Sequence, residues 1–170
     1  MRDDADLDKC VELAQVVHQV DGYPYYLPGD LREFLAARGA TAAWVAESDR
    51  EVVGHVALHS WSSAAVMSLA SHVSGQPAER LGFVARLLVA PASRRQGIGR
   101  SLLLTATDHA VARGLWPVLD VAVHHDTAIA LYEKCGWVRV GEVFVRFGHG
   151  GGLDEFVYFG PTLGKQENLE

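Results

Sequence analysis

The feature that most constrains the fold is a segment in which an apolar run leads through a proline, arginines and glycines into a stretch of helix formers. The segment reads Leu87-Leu88-Val89-Ala90-Pro91-Ala92-Ser93-Arg94-Arg95-Gln96-Gly97-Ile98-Gly99-Arg100. The nearly continuous apolar run over 83–89 is typical of a strand covered on both faces. Residues 98–113 favour a helix, which Gly114 would end. This order of strand, loop and helix predicts an α/β domain.

The start of that helix has the properties of an anion site. Unpaired backbone N–H groups and the positive end of the helix dipole meet there. Gly97 and Gly99 carry no side chain, so a bulky anion can approach the backbone closely. The guanidinium groups of Arg94, Arg95 and Arg100 could add charge-assisted hydrogen bonds. We therefore predict a pyrophosphate site, the alternative being an ordinary connection whose glycines only turn the chain.

Two other phosphate-binding motifs are excluded. The loop has no Gly-Lys-Ser/Thr ending, as nucleotide triphosphatases have, and no Gly-x-Gly-x-x-Gly, as dinucleotide-binding folds have.

Composition excludes several classes of protein. The chain has 170 residues, 49% of them apolar, which is enough to bury a core without disulfides or a metal. A net charge of −6 argues against nucleic acid as a partner. Cys10 and Cys135 fit no zinc or disulfide pattern and are expected to be reduced thiols of a cytoplasmic protein. No apolar run approaches the roughly 18 residues of a membrane helix, and the acidic start resembles no signal peptide.

Periodicity and turn residues predict the elements along the chain. Helices are expected at 7–20, 31–37, 62–76, 98–113 and 127–135, and strands at 41–47, 52–60, 83–89, 118–123, 137–147 and 156–159. Residues 48–51 should form a hairpin turn, residues 149–152 a flexible turn, and Asp126 a helix cap. With no visible repeat or linker, residues 1–163 are predicted to form one domain. Residues 164–170 would be a flexible tail that could include a cloning scar.

Two segments resemble motifs of the GNAT superfamily of N-acetyltransferases. Arg94-x-x-Gly97-x-Gly99 resembles its acetyl-CoA loop, Arg/Gln-x-x-Gly-x-Gly/Ala. The run from Ala128 to Trp137, which reads AIALYEKCGW, resembles its Ala-x-x-Leu-Tyr-x-Lys-x-Gly-Phe motif. Motif order and spacing match, as does the element order from about residue 7 to 159. The resemblance implies a single-domain GNAT-like α/β (α+β) fold, with a mixed central sheet of about six or seven strands flanked by about four helices.

The resemblance also implies residue roles. In the family, the strand before the loop pairs with the pantetheine arm, the loop amides hold the pyrophosphate, and the tyrosine of the second motif protonates the departing thiolate. The implied cofactor-binding positions are Leu87, Val89, Arg94, Arg95, Gln96, Gly97, Ile98, Gly99, Arg100, His125 and Tyr132. Tyr132 would be the general acid, although simple packing is the alternative role for it. The backbone N–H of Val89 is the expected oxyanion donor.

Two positions depart from the family pattern. His125 stands where many members carry an asparagine that hydrogen-bonds the cofactor arm, and an imidazole could make one such bond. Only residues 1–4 precede the first helix, so the family's first strand is expected to be short or absent, and the chain is expected to begin late in the pattern.

Acetyl transfer to an amine with a pKa of about 10 requires that the amine lose a proton. His55 and His59, which share a face of their strand, are candidate bases, as are His124, Glu79 and bulk-connected water.

Other polar residues bear on the acceptor and on the core. Asp120, within an apolar strand, is expected to form a structural pair with Arg86 rather than to act in catalysis. The acceptor pocket is predicted from the loops at 23–28, 61–76 and 148–153, and Asp30 and Glu33 could attract a cationic acceptor.

The implied activity is that of an acyl-CoA N-acyltransferase. Acetyl-CoA would serve as co-substrate, without a metal, and a primary amine of a small molecule or peptide would attack it directly in a ternary complex. The alternatives are a non-catalytic acyl-CoA-sensing module and an unrelated nucleotide-binding α/β protein. No nucleic acid or membrane partner is expected, and a homodimer is one possible assembly.

Overall fold

The computed structural model describes residues 1–25, 29–36, 39–147 and 150–162. Five α-helices lie in these ranges: α1 Asp6–Asp21, α2 Leu31–Ala36, α3 Ala64–Ser74, α4 Ile98–Ala112 and α5 Asp126–Lys134. Six strands form one sheet: β1 Ala40–Ser48, β2 Glu51–His59, β3 Leu81–Val89, β4 Trp116–Ala122, β5 Val138–Arg146 and β6 Gly152–Phe159. The strand order is β1-β2-β3-β4-β6-β5, with parallel and antiparallel pairs, which confirms the predicted α/β fold class.

Several predicted segments fall outside the described residues. They are residues 26–28 of the tyrosine-rich loop, residue 37 at the end of the second predicted helix, residues 148 and 149 of the glycine-rich turn, and the tail from residue 163.

The chain forms two compact units, each made of two stretches of sequence. Unit 1 comprises Met1–His59 and Ala85–Ala106, and unit 2 comprises Ser60–Val84 and Thr107–Glu170. Each unit buries an apolar cluster of its own. In unit 1 this cluster is built on Cys10, Leu13, Ala14, Leu35 and Leu88, and in unit 2 on Val66, Leu81, Phe83, Val118 and Val157. The prediction of one domain over residues 1–163 stays a prediction.

In unit 1, the first helix and the hairpin follow the predicted pattern. The buried residues of α1 recur at helical spacing, and Gly22 ends the helix in a left-handed conformation. Strands β1 and β2 pair antiparallel around a two-residue turn, with positive φ at both Asp49 and Arg50. Such a turn matches the twist of the flanking strands. Residues 1–5 form no strand, but the amide of Arg2 donates to the carbonyl of Ala43 at 2.8 Å.

In unit 2, the predicted helical insertion is confirmed as α3. Its first turn is capped by the Ser63 hydroxyl, which accepts from the amide of Val66 at 3.3 Å. The first part of β3 runs parallel to β4, and β6 lies antiparallel between β4 and β5.

Two predicted boundaries in unit 2 are wrong. Strand β6 begins at Gly152 rather than at 156, because the polar residues Asp154 and Glu155 pair through their backbones with neighbouring strands. Asp126 is the first residue of α5 rather than its cap. The N-cap position belongs to His125, whose side chain makes no capping hydrogen bond, and Asp126 places a negative charge in the first turn.

Candidate active site

The connection from β3 to α4 leaves a helix start without internal partners. A short 3₁₀ turn spans Pro91–Ser93, and Arg95 and Gly97 then adopt positive φ angles of 61° and 83°. The amide of Ser101 donates to the carbonyl of Gly97 at 2.9 Å, which is the first bond of the helix. The amides of Ile98, Gly99 and Arg100 therefore have no acceptor within the helix. These three amides lie in the segment predicted to hold a pyrophosphate.

The turn before α4 is open. A Cβ atom placed on Gly97 would meet no other atom within 4 Å, so glycine is needed there for its backbone conformation and not for lack of space. Arg95, Gln96 and Arg100 are exposed around it. An anion can therefore approach this turn without displacing packed side chains.

Arg94, the first residue of the loop motif, is held on the protein side of the loop. Its two terminal nitrogens donate to the carboxylate of Asp21 at 3.0 and 2.5 Å, and its Nε donates to the carbonyl of Val89 at 3.2 Å. Such a two-pronged pair fixes orientation as well as distance. The side chain thus ties the loop to the end of α1 and to the end of β3. Direct contact of Arg94 with a diphosphate stays a prediction.

The last residues of β3 separate core from surface. Leu88 is buried in the apolar cluster of unit 1, whereas its neighbours Leu87 and Val89 are only partly buried. Because strand side chains alternate, Leu87 and Val89 share the face opposite Leu88. They occupy the positions at which the resemblance expects the pantetheine arm.

Arg2, His55, His59 and Arg86 form an arginine–histidine cluster in unit 1. Nη1 of Arg2 donates to the carbonyl of Leu35 at 2.6 Å and to Nε2 of His55 at 3.1 Å. Nδ1 of His55 donates to the carbonyl of Arg86 at 2.9 Å. Nη1 of Arg86 donates to Nε2 of His59 at 3.1 Å.

These contacts bear on the choice of base. Burial, reinforced by the nearby arginines, lowers the pKa of both His55 and His59 to about 4. Both rings are therefore neutral near pH 7, and the lone pair of each already accepts a hydrogen bond from a guanidinium. This arrangement disfavours both as general bases. His124 and Glu79, the other candidate side chains, are exposed.

In unit 2, Tyr132 lies in an aromatic group on α5. Its buried ring stands 6.4 Å from the ring of Trp137 and 6.3 Å from that of Tyr158, measured between centroids. The hydroxyl of Tyr158 donates to Glu133 at 3.1 Å. Packing therefore holds the ring of Tyr132 in place, as a positioned acid requires and as a structural tyrosine would also show. His125 precedes this helix, and its carbonyl accepts from the amide of Ile129 at 3.1 Å.

A carboxyl pair, Asp120 and Glu155, lies on one face of strands β4 and β6. Asp120 is opposite Val157 and Ala122 is opposite Glu155, which places the two acids diagonally on neighbouring strands. Their side chains share a hydrogen bond, and the hydroxyl of Ser62 donates to Oδ1 of Asp120 at 3.2 Å. Two carboxyl groups can share a hydrogen bond only if one of them carries a proton.

The environment of this pair favours the protonated form. Burial, followed by the charge of Asp120, raises the pKa of Glu155 to about 9, and burial also raises the pKa of Asp120. The prediction that Asp120 pairs with Arg86 is wrong. The hydrogen-bond partners of Asp120 are the side chains of Glu155 and Ser62. Glu155 was missed because it precedes the predicted start of its strand. Glu155 lies two residues before Val157, and this spacing was the available signal that both side chains lie on the same face of the strand.

Within the described ranges, no group of three His, Cys, Asp or Glu side chains could hold a metal ion. No helix among those described is long and apolar enough to cross a membrane. Cys10 and Cys135 are free, and burial raises the pKa of the Cys10 thiol to about 11.

Solved structures with this architecture include N-acetyltransferases. The chain is similar to the ribosomal-protein-S18-alanine N-acetyltransferase from Escherichia coli, with a TM-score of 0.68, 20% identity, and 99% of this chain and 96% of that chain covered. It is similar to an N-acetyltransferase from Staphylococcus aureus Mu50, with a TM-score of 0.68, 17% identity, and 93% of each chain covered. NAA60 from Arabidopsis thaliana, in complex with acetyl-CoA, gives a TM-score of 0.67 at 19% identity, covering 92% of this chain and 93% of that chain.

At these identities the structural similarity shows the fold alone. No curated protein matches the sequence. A sequence model described as the acetyltransferase (GNAT) family matches residues 9–137, which include the open turn, the helix start and the tyrosine-bearing helix. Since this match spans most of the chain, the protein belongs to the acetyltransferase (GNAT) family.

Proposed function

We propose that this protein transfers the acetyl group of acetyl-CoA to a primary amine of a small molecule or peptide. The observation that carries the proposal is the open, exposed turn at Gly97, followed by three helix amides without an acceptor in the helix. Such a turn can accept a diphosphate, and family membership supports coenzyme A as the molecule that carries this diphosphate. NAA60, which shares the fold, has a solved structure in complex with acetyl-CoA.

The chemistry is a direct displacement. The amine nitrogen attacks the thioester carbon, a C–N bond forms, and the C–S bond breaks to release the thiolate of coenzyme A. We assign the backbone N–H of Val89 to the developing oxyanion and the hydroxyl of Tyr132 to protonation of the thiolate. Positioning of the two substrates supplies the rest, and no protein nucleophile is needed.

The attacking amine must also lose a proton. We assign this step to the Asp120–Glu155 pair: while Glu155 holds the shared proton, the carboxylate of Asp120 accepts the proton of the amine, and burial raises the pKa of that carboxyl in the direction a base requires. The engaged lone pairs of His55 and His59 support the same choice.

The names of related structures leave the acceptor open. The Escherichia coli relative is a ribosomal-protein-S18-alanine N-acetyltransferase, and another structure with this fold is a ribosomal-protein-alanine N-acetyltransferase from Brucella melitensis. These relatives are about one-fifth identical to this chain, so they support an amine acceptor but do not specify which amine.

The test combines binding with turnover. Calorimetry should detect binding of coenzyme A and acetyl-CoA by the folded protein, and a thiol-release assay should detect turnover with at least one member of an amine panel. Binding without thiol release across a broad panel would favour the acyl-CoA-sensing alternative. No heat of binding at millimolar acetyl-CoA would overturn the proposal.

A further inference from the structure

The arginine–histidine cluster holds positive charge that its described surroundings do not neutralise. Within the described ranges, the ion pairs are Arg32 with Asp8 and Arg94 with Asp21, and neither includes Arg2 or Arg86. Both arginines of the cluster are partly buried. Burial lowers the pKa of Arg86 to about 10; the neighbouring Tyr23 opposes this shift and Arg2 adds to it, and Arg86 stays charged near pH 7. A partly buried charge without a counter-charge is costly, and a bound anion would relieve that cost.

The guanidinium of Arg86 is held in one orientation by its neighbours. It lies 4.3 Å from the centre of the Phe34 ring, and one terminal nitrogen donates to His59. The side-chain hydrogen bond of Arg86 to His59 uses Nη1, and Tyr23 lies close enough to affect the pKa of the guanidinium. An aromatic face on one side and a neutral imidazole at one corner therefore fix the plane of the group. The remaining N–H donors form the fork that suits a carboxylate.

The histidines of the cluster cannot supply the missing negative charge. Each uses its lone pair to accept from an arginine, so the two rings hold the guanidinium groups in place without neutralising them. The positive φ of 56° at Arg86 is unusual for a residue other than glycine. Backbone strain of this kind persists where the surroundings hold it in place, which here include the bond from His55 to the Arg86 carbonyl.

The position of Arg86 connects this cluster with the proposed reaction. In unit 1, Arg86 immediately precedes Leu87 and lies three residues before Val89, the proposed oxyanion donor. At about 3.3 Å per residue, its backbone is roughly 10 Å from that of Val89. A small molecule anchored by the Arg86 side chain can therefore reach the region where the acetyl group would be presented.

We infer that the acceptor is a small amine that also carries a carboxylate, and that Arg86, oriented by His59 and Phe34 beside Arg2, binds this carboxylate. The inference rests on the proposed function and narrows its substrate class. It replaces the expectation of a cationic acceptor attracted by Asp30 and Glu33. Asp30 instead caps α2, where its carboxylate accepts from the amide of Glu33 at 2.8 Å.

The test uses matched pairs of amines on the unmodified protein. Glycine, β-alanine and 4-aminobutyrate are each compared with the corresponding carboxamide in the thiol-release assay with acetyl-CoA. For at least one pair, the acid should have a kcat/KM about tenfold or more above that of its amide, as a charge-assisted hydrogen bond to the carboxylate requires. The amides have the more readily deprotonated amines, so amine basicity cannot produce this preference. Equal or better use of every amide would overturn the inference.

An arginine variant and a matched control locate the effect. Arg86→Met removes the charge but keeps an unbranched side chain, and the acid-to-amide ratio should fall to near one. Arg86→Lys keeps the charge without the fork and should retain an intermediate ratio. Arg113→Met removes an equal charge from an exposed position after α4 and should leave the ratio unchanged. An unchanged ratio in folded Arg86→Met would overturn the assignment.

A binding measurement separates this inference from the proposed function. With coenzyme A present, the preferred acid should raise the melting temperature of the protein and its carboxamide should not. If acetyl-CoA binds but no amine releases thiol, the proposed transfer fails, while stabilisation by acids alone still supports an anion site at Arg86. Stabilisation by neither member of any pair would overturn the site itself. Preference for an amine that carries a phosphate over every carboxylate would overturn the carboxylate assignment.

Discussion

At the residue scale, Gly97 is needed for its backbone conformation. Its φ of 83° lies in the region that costs other residues about 1 kcal/mol or more, and the surrounding space is open. Gly97→Ala is therefore expected to distort the turn and to weaken acetyl-CoA binding severalfold by calorimetry. Gly75→Ala is the matched control, because Gly75 also has positive φ and open space but caps α3. Both variants should lose similar stability, and equal cofactor affinity in the two would argue against the turn as the diphosphate site.

Tyr132 offers a second residue-scale prediction. Tyr132→Phe keeps the ring that packs against Trp137 and Tyr158 and removes only the hydroxyl. If that hydroxyl protonates the thiolate, kcat should fall by about a hundredfold while acetyl-CoA affinity changes little. Tyr158→Phe removes a neighbouring hydroxyl that bonds Glu133, and it should cost stability of about 1 kcal/mol without a comparable loss of kcat. Turnover of Tyr132→Phe equal to that of the unmodified protein would leave packing as the role of Tyr132.

At the element scale, the pairing of β4 with β6 brings two acids together, and its effect on stability has a definite sign. The pKa of Glu155 is raised to about 9 in the folded protein. The contribution of Glu155 to the stability of the folded state is therefore fully present below its ordinary pKa of 4.5. That stability is lost as pH rises from about 4.5 towards 9. Asp120→Asn removes the charged neighbour and should flatten this decline in the free energy of unfolding, measured by denaturant titration between pH 5 and 9.

The same variant separates a catalytic from a structural pair. If the pair accepts the proton of the amine, Asp120→Asn should lower kcat and change the pH at which activity rises in the kcat/KM profile. A purely structural pair would change stability alone and leave both kinetic measures as they were.

Strand β2 holds two histidines, His55 and His59, whose effect on stability has the opposite pH dependence. His55 is fully buried with a pKa lowered to about 4, while in the unfolded chain it titrates near 6.5. Its contribution to stability is therefore complete above about 6.5 and is lost as pH falls towards 4, by at most about 3 kcal/mol. His55→Gln should reduce this acid destabilisation, whereas His72→Gln, at an exposed site on α3, should not. Identical acid unfolding curves for His55→Gln and the unmodified protein would contradict the shifted pKa.

At the scale of the whole molecule, ligand binding should appear as added stability. A ligand that binds only the folded state, at a hundred times its Kd, adds about 2.7 kcal/mol to the free energy of unfolding. Acetyl-CoA should therefore raise the melting temperature, and ATP or NAD at equal concentration should raise it much less. Gly97→Ala should show a smaller shift with acetyl-CoA. A larger shift with ATP or NAD would favour the nucleotide-binding alternative.

Most of the fold could be predicted from local patterns. The helices α1 and α3 show apolar spacing and end at glycines, and the β1–β2 hairpin has a short polar turn between β-rich runs. The boundary at β6 was wrong because Asp154 and Glu155 look like turn residues by composition. Their strand conformation depends on pairing with β4 and β5, which no local pattern reports.

The candidate site divides in the same way. The sequence alone predicted the turn at the start of α4 as an anion site and indicated the family, because glycine conformation and helix-start chemistry are local properties carried by a few adjacent residues. Only the tertiary structure decided that Arg94 is held by Asp21, that Asp120 is hydrogen-bonded to Glu155, and that Arg86 lies against His59 and Phe34. Those partners are distant in sequence, and a side chain's charge state and free donors depend on the neighbours that folding brings to it.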